Sequence, residues 1–148
     1  MIPIKDDNPQ IQFPIATLSI VFLNLASWIF LQGMGSGNGL AASVCQYGLI
    51  PGELLGLVPA GTQLPMGAGM SCVIGDASGW HTTLTSMFMH GGWMHFIGNM
   101  WFLWIFGDNV EDSMGSARFV LFYLLCGLAA AAFQVIADPA SQIPMVGA

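Results

Sequence analysis

The run His90-Gly91-Gly92-Trp93-Met94-His95-Phe96-Ile97-Gly98-Asn99 sets two imidazoles and a carboxamide inside a stretch apolar enough to cross a bilayer. Hydrocarbon penalises such groups, so polar side chains at that depth mark a site. His95 and Asn99 stand four residues apart, one above the other on a helix face, and both can donate hydrogen bonds. Two donors aimed at one small target describe a pocket for negative charge that builds up during a reaction. His90, five residues before His95, falls off that face and close to the helix start, where it is expected as an accessory to the pocket or to a water path.

The surroundings of this run are those of a membrane protein. Hydrophobic residues make up 55% of the 148 and charged residues 7%, against about a quarter charged in a soluble domain. Three apolar runs of about 20 residues suit one all-α, polytopic transmembrane helical bundle. The expected layout is a cytoplasmic tail over 1–12, spans over 13–31, 84–106 and 117–136, a long external loop over 32–83 and a turn over 107–116. Residues 137–148 then lead toward a fourth helix. A cleaved signal peptide is the alternative for the first span, but the tail Lys5-Asp6-Asp7-Asn8-Pro9-Gln10 is net negative and the run exceeds the about 7–15 apolar residues of such a peptide. Pro14 is tolerable in a first helical turn.

The long loop is rich in Gly and Pro yet dotted with Leu49, Ile50, Leu54, Leu55, Leu57 and Val58, so it is expected to lie partly in the membrane interface, with a short helix over 51–57. In the second span His95, Asn99, Phe102 and Phe106 form a stripe expected to face the bundle interior, with Gly91, Gly92 and Gly98 allowing close approach. In the third, Gly127 and Ala131 make either a face for helix contact or plain alanine-rich filler. Asp108, Glu111 and Asp112 cluster at a span end and read as a solvated turn. The only basic residues, Lys5 and Arg118, fall on one side of a three-span path, and the positive-inside rule makes that side cytoplasmic.

Several classes are excluded or disfavoured. The net charge of −6 comes from eight acids and two bases, so no basic patch exists for nucleic acid. His90 and His95 lack the i, i+4 spacing of helix-borne zinc sites, and no cofactor or metal is expected. A transporter would want an intramembrane acid paired with a base, which the runs lack. Cys45 and Cys72 share the long loop and could pair on an oxidising face; unpaired thiols are the other reading, and Cys126 lies in the third span.

The stretch from Thr85 to Met100, with its histidine followed four residues later by asparagine, resembles the second transmembrane helix of the rhomboid intramembrane serine proteases. The resemblance continues through Phe102-Leu103-Trp104-Ile105-Phe106-Gly107-Asp108-Asn109-Val110-Glu111-Asp112 and Gly115, and the N-terminal Pro3-Ile4-Lys5-Asp6-Asp7-Asn8-Pro9 is similar to that of many bacterial members. It implies a serine endopeptidase in a bacterial plasma membrane that cuts transmembrane protein substrates near the outer face. His95 and Asn99 would stabilise the oxyanion, and His90 would assist. In that family the nucleophile sits in a Gly-x-Ser-Gly motif at the start of the fourth helix, and the base is a histidine on the sixth. Pro144-Met145-Val146-Gly147-Ala148 is similar to the lead-in to that motif, so the serine is expected next, and the chain is expected to be an inactive N-terminal fragment lacking nucleophile and base. Ala77-Ser78-Gly79 and Gly69-Met70-Ser71 echo the motif but read as ordinary loop. Where many members carry Trp-Arg, this chain has Trp80-His81-Thr82. A non-proteolytic rhomboid-like protein that binds transmembrane clients is the alternative.

Overall fold

The computed structural model describes residues 11–67, 69–75 and 79–147, so the basic Lys5 of the tail, Ala77, Ser78 and Ala148 lie outside the described residues. Helix α1 (Ile15–Ala26) begins directly after Pro14, where a missing N–H is harmless. A helix start leaves orphan N–H groups, and here they are met from far along the chain. The carboxylate of Glu111 accepts the Ala16 and Thr17 N–H groups at 2.9 and 2.8 Å, the Thr17 hydroxyl at 2.8 Å and the Ser116 hydroxyl at 2.6 Å. Asp112 accepts the N–H groups of Ile11 and Gln12 at 2.8 and 2.9 Å. The expected solvated acidic turn is therefore corrected: Glu111 is 2% exposed and serves as a long-range cap, its negative charge set at the positive end of the α1 dipole.

Past Ala26 the helix widens into a π-helical turn, Ser27–Leu31, and Gln32 closes it. Left-handed backbone at Gly33, Met34 and Gly35 then reverses the chain. Helix α2 (Gly37–Tyr47) follows at once, so Gly37 and Gly39, within the expected long loop, lie inside a helix. A short α3 (Pro51–Leu54) forms within the expected 51–57, with Pro in its first turn. Antiparallel strands β1 (Gln63–Gly67) and β2 (Met70–Val73) come next, with Leu64 opposite Cys72 and an irregularity between Pro65 and Gly67.

The expected interfacial loop is thus a folded unit with its own core of Ile50, Val58, Leu64, Cys72 and Ile74, packed by Cys45 and Met66. Of the two cysteine readings the paired one holds: Cys45 on α2 and Cys72 on β2 form a disulfide. Cys126 is free and exposed.

The chain then climbs through a 3-10 turn at Gly79–His81, α4 (Thr82–Thr85) and a second 3-10 turn at Ser86–Phe88. Helix α5 (Trp93–Met114) and helix α6 (Ser116–Ala137) are separated by Gly115, whose φ of +83° makes the sharp turn. Helix over the expected 84–106 is displaced: it starts at Trp93 and runs past Phe106 to Met114, so the expected 107–116 turn shrinks to a single glycine. The break at Gly91 and Gly92 follows from two adjacent residues of poor helix propensity. Helix α6 matches the expected 117–136 to within a residue at each end, and among the described residues it is the one helix long and apolar enough to cross a membrane, with mean hydropathy 2.3. The run Ile15–Leu31 is apolar but shorter.

Where α1, α5 and α6 meet, Ala16, Ile20 and Phe119 are buried against Leu103, Val110, Met114 and Tyr123. On α5, close approach is carried by a glycine other than those expected there. A Cβ on Gly107 would lie 2.8 Å from Thr17 Cγ2, and one on Gly127 would overlap Met87, whereas nothing lies near Gly92 or Gly98. Gly127 and Ala131 are both buried on α6, so the small-residue face is real, with the Met87 side chain filling it.

Candidate functional site

The first two turns of α5 carry His95 and Asn99 on one face. At the turn before them, the Gly91 N–H donates to His95 Nδ1 at 3.2 Å. A ring that accepts at Nδ1 carries its proton on Nε2 when neutral, so Nε2–H is the donor His95 presents. What lies before it is the backbone of Gly147, some fifty residues downstream. A Cβ placed on Gly147 would lie 2.5 Å from His95 Cε1, 2.7 Å from Nε2 and 3.3 Å from Asn99 Nδ2. Gly147 has φ +82°, so glycine is needed there for both space and conformation.

Asn99 Nδ2 is buried and has no hydrogen-bond partner among the described residues. Buried donors are nearly always paired, because an unmet one costs free energy, and Trp28 Nε1 and His90 Nδ1 nearby are likewise buried without a partner. The two N–H donors, His95 Nε2 and Asn99 Nδ2, border one spot walled by main chain. Chemically, such a spot receives a single acceptor carrying developing negative charge.

Three backbone contacts hold Gly147 in place. Its N–H donates to Ser86 O at 2.8 Å, Leu49 and Met145 exchange bonds of 3.0 and 2.8 Å in an antiparallel bridge, and the Gly52 N–H donates to Ser141 O at 2.9 Å. Thr85 in turn donates its hydroxyl to Tyr47 O at 2.9 Å. The folded loop therefore positions the returning chain against α5.

His90 is fully buried outside any helix, its ring edge-on to His95 at 5.5 Å and to Phe96 at 5.1 Å. Trp28 from the π-helical turn stacks on Phe96 at 5.0 Å and meets His90 edge-on at 6.2 Å. His90 is thus a wall of the site, behind His95.

The expected inward stripe is corrected: His95 is itself exposed and Asn99 half-buried. Phe102 is 68% exposed and Phe106 51%, stacked on each other, because the buried face of α5 passes instead through Phe96, Ile105, Gly107 and Glu111. Ser71 is exposed on β2, away from this cluster. Among the described residues no three His, Cys, Asp or Glu stand close enough to hold a metal ion. Sequence reasoning missed Gln32 and the use of the Gly147 and Ser86 backbones. Gln32 carried one signal, a polar side chain ending an apolar run.

Comparison with known proteins bears on the same region. Residues 77–148 match the family model described as Rhomboid domain. Rhomboid-like protein 11, chloroplastic, of Arabidopsis thaliana is 39% identical over 51 residues, covering 34% of this chain and 18% of that protein. The chain thus spans under a fifth of that relative's length. No solved structure matches.

Proposed function

We propose that this chain, whose residues 77–148 match the Rhomboid domain model and which resembles a rhomboid-like plant protein over 51 residues, is a rhomboid protein and forms the oxyanion-stabilising part of an intramembrane serine endopeptidase. The observation that carries the reading is the meeting of Gly147 with His95 Nε2 and Asn99 Nδ2. In the family pattern Gly147 opens the motif whose third residue is the nucleophilic serine, and that glycine is held by its own N–H on Ser86 O and by the bonds of Leu49 and Gly52 to the segment before it.

In this mechanism a serine hydroxyl attacks a peptide carbonyl carbon of a transmembrane substrate, and a histidine takes its proton. The carbonyl oxygen becomes an oxyanion. His95 Nε2–H and Asn99 Nδ2–H donate to it in a water-poor setting, where preformed donors act most strongly. His90 backs the His95 ring. Neither the nucleophile nor the base is assigned to a residue of this chain.

The three helices that meet around Ala16 and Phe119 are assigned as three spans: Ile15–Leu31, α5 and α6. The disulfide-bearing loop and the start of α5 fall on the outer, oxidising side, and Arg118 on the cytoplasmic side. The bacterial plasma membrane rests on the Pro3-to-Pro9 pattern alone, to which a chloroplastic relative adds nothing.

The test uses the full-length protein with a single-span model substrate in micelles. Cleavage is expected near the outer face, falling about 100- to 1000-fold in His95→Ala or Asn99→Ala. Capture of the substrate without cleavage by the unmutated protein would favour the client-binding reading instead.

A further inference from the structure

We infer that Gln32 is the positioning residue that sets the donor state of His95, a step that rests on the oxyanion reading only for its effect on catalysis. Gln32 is 0% exposed. Its Nε2 donates to the main-chain oxygen of His90 at 2.6 Å, and its Oε1 accepts the His90 N–H at 2.9 Å. One carboxamide thus holds both main-chain groups of one residue, as a neighbouring strand would. The residue held is buried and lies outside any helix, so neither group has a regular ladder to satisfy it.

The consequence passes to the next peptide. Fixing the His90 carbonyl fixes the plane shared with the Gly91 N–H, because that unit is rigid. The Gly91 N–H is the group that donates to His95 Nδ1. A donor at Nδ1 leaves Nε2 as the protonated nitrogen, the one directed at Gly147 and lying beside Asn99 Nδ2. Gln32 therefore acts at a distance of two links: carboxamide to His90 backbone, Gly91 N–H to imidazole.

Its place at the end of the π-helical turn accounts for its reach. The wide turn Ser27–Leu31 also carries Trp28, which packs under Phe96 and beside His90. One local distortion of α1 therefore delivers both the clamp and the aromatic floor beneath the same segment.

The test compares Gln32→Met, similar in length but without polar ends, with Gln32→Glu, whose buried neutral carboxyl can still donate to one group and accept from the other. The readout is the ¹⁵N shift pair of the His95 ring in histidine-labelled protein in micelles, which reports the tautomer whether or not any substrate is cut. The unmutated chain is expected to show the Nε2–H form, Gln32→Met a mixture of both tautomers, and Gln32→Glu the Nε2–H form again. In the full-length protein kcat is expected to fall about 10-fold in Gln32→Met with KM within twofold. A Gln32→Met protein that keeps the pure Nε2–H form overturns the inference. Should that variant fail to fold, Gln32→Asn, too short to reach both groups, carries the same test. A shifted tautomer with unchanged cleavage upholds the clamp and refutes the oxyanion role of His95.

Discussion

Replacing Asn99 by Leu removes a buried donor that the resting fold leaves unmet, and the sign of the stability change is fixed by that fact. A buried donor without a partner costs about 1–3 kcal/mol, and an apolar side chain of similar volume does not incur it. Unfolding free energy is therefore expected to hold or to rise by about 1–2 kcal/mol in Asn99→Leu, bounded by that penalty. Turnover is expected to move the other way. Loss of one oxyanion donor costs about 2.7–4 kcal/mol of barrier, or about 100- to 1000-fold in kcat. Such opposed signs are a mark of a site kept at the expense of stability. The assay pairs denaturant or thermal unfolding in micelles with single-span substrate cleavage by the full-length protein. A drop in stability of more than about 1 kcal/mol, well outside what removing an unmet donor allows, would show that Asn99 holds the fold together and refute the reasoning.

Other outcomes follow from the same contacts. Gly147→Ala puts a methyl group 2.5 Å from the His95 ring at φ +82°, so cleavage should be lost and stability should fall by about 1–3 kcal/mol in the same micelle assay. Glu111→Ala strips α1 of its cap and leaves buried donors unmet, so it should cost about 1–3 kcal/mol, measured by unfolding, more than Asp112→Asn at its half-buried position. The pair Cys45→Ser and Cys72→Ser opens a loop with a sequence separation of 27, worth about 3.5 kcal/mol by chain entropy, which unfolding of the 37–75 unit should report.

What the residues disclosed and what they hid divide along a physical line. Helix α6 was legible almost to the residue because an unbroken apolar run has one stable solution in hydrocarbon. The pair His95 and Asn99 was legible because i, i+4 spacing fixes adjacency on a helix face. The start of α5 was not: the run from Leu84 is as apolar as a span, and the backbone groups opened by the break before Gly91 and Gly92 are met by Gln32, more than fifty residues earlier. Glu111 misled for the same reason. Nothing near it in the chain shows that four donors from α1 and α6 converge there, and an acid among polar neighbours looks solvated. The loop hid its order because Gly and Pro counted against structure, while its alternating Leu64, Cys72 and Ile74 only make a core once the hairpin pairs them.

The folded loop has a mechanical reason to exist. An anion pocket made only by α5 would be one-sided, since His95 and Asn99 come from a single helix and their target must be brought to them. The opposing side is the extended chain around Gly147, and extended chain has no rigidity of its own. Its fixation comes from the Gly52 bond to Ser141, the Leu49 bridge to Met145 and the Ser86 bond to Gly147. Two of these three anchor points belong to the unit whose core is closed by Cys45 and Cys72. Rigidity thus flows from the disulfide, through α3 and the bridge, to the glycine facing the donors. Loosening the unit should therefore misplace the reacting segment while α1, α5 and α6 remain packed, so loss of the disulfide should reach turnover at temperatures where the three helices are still intact.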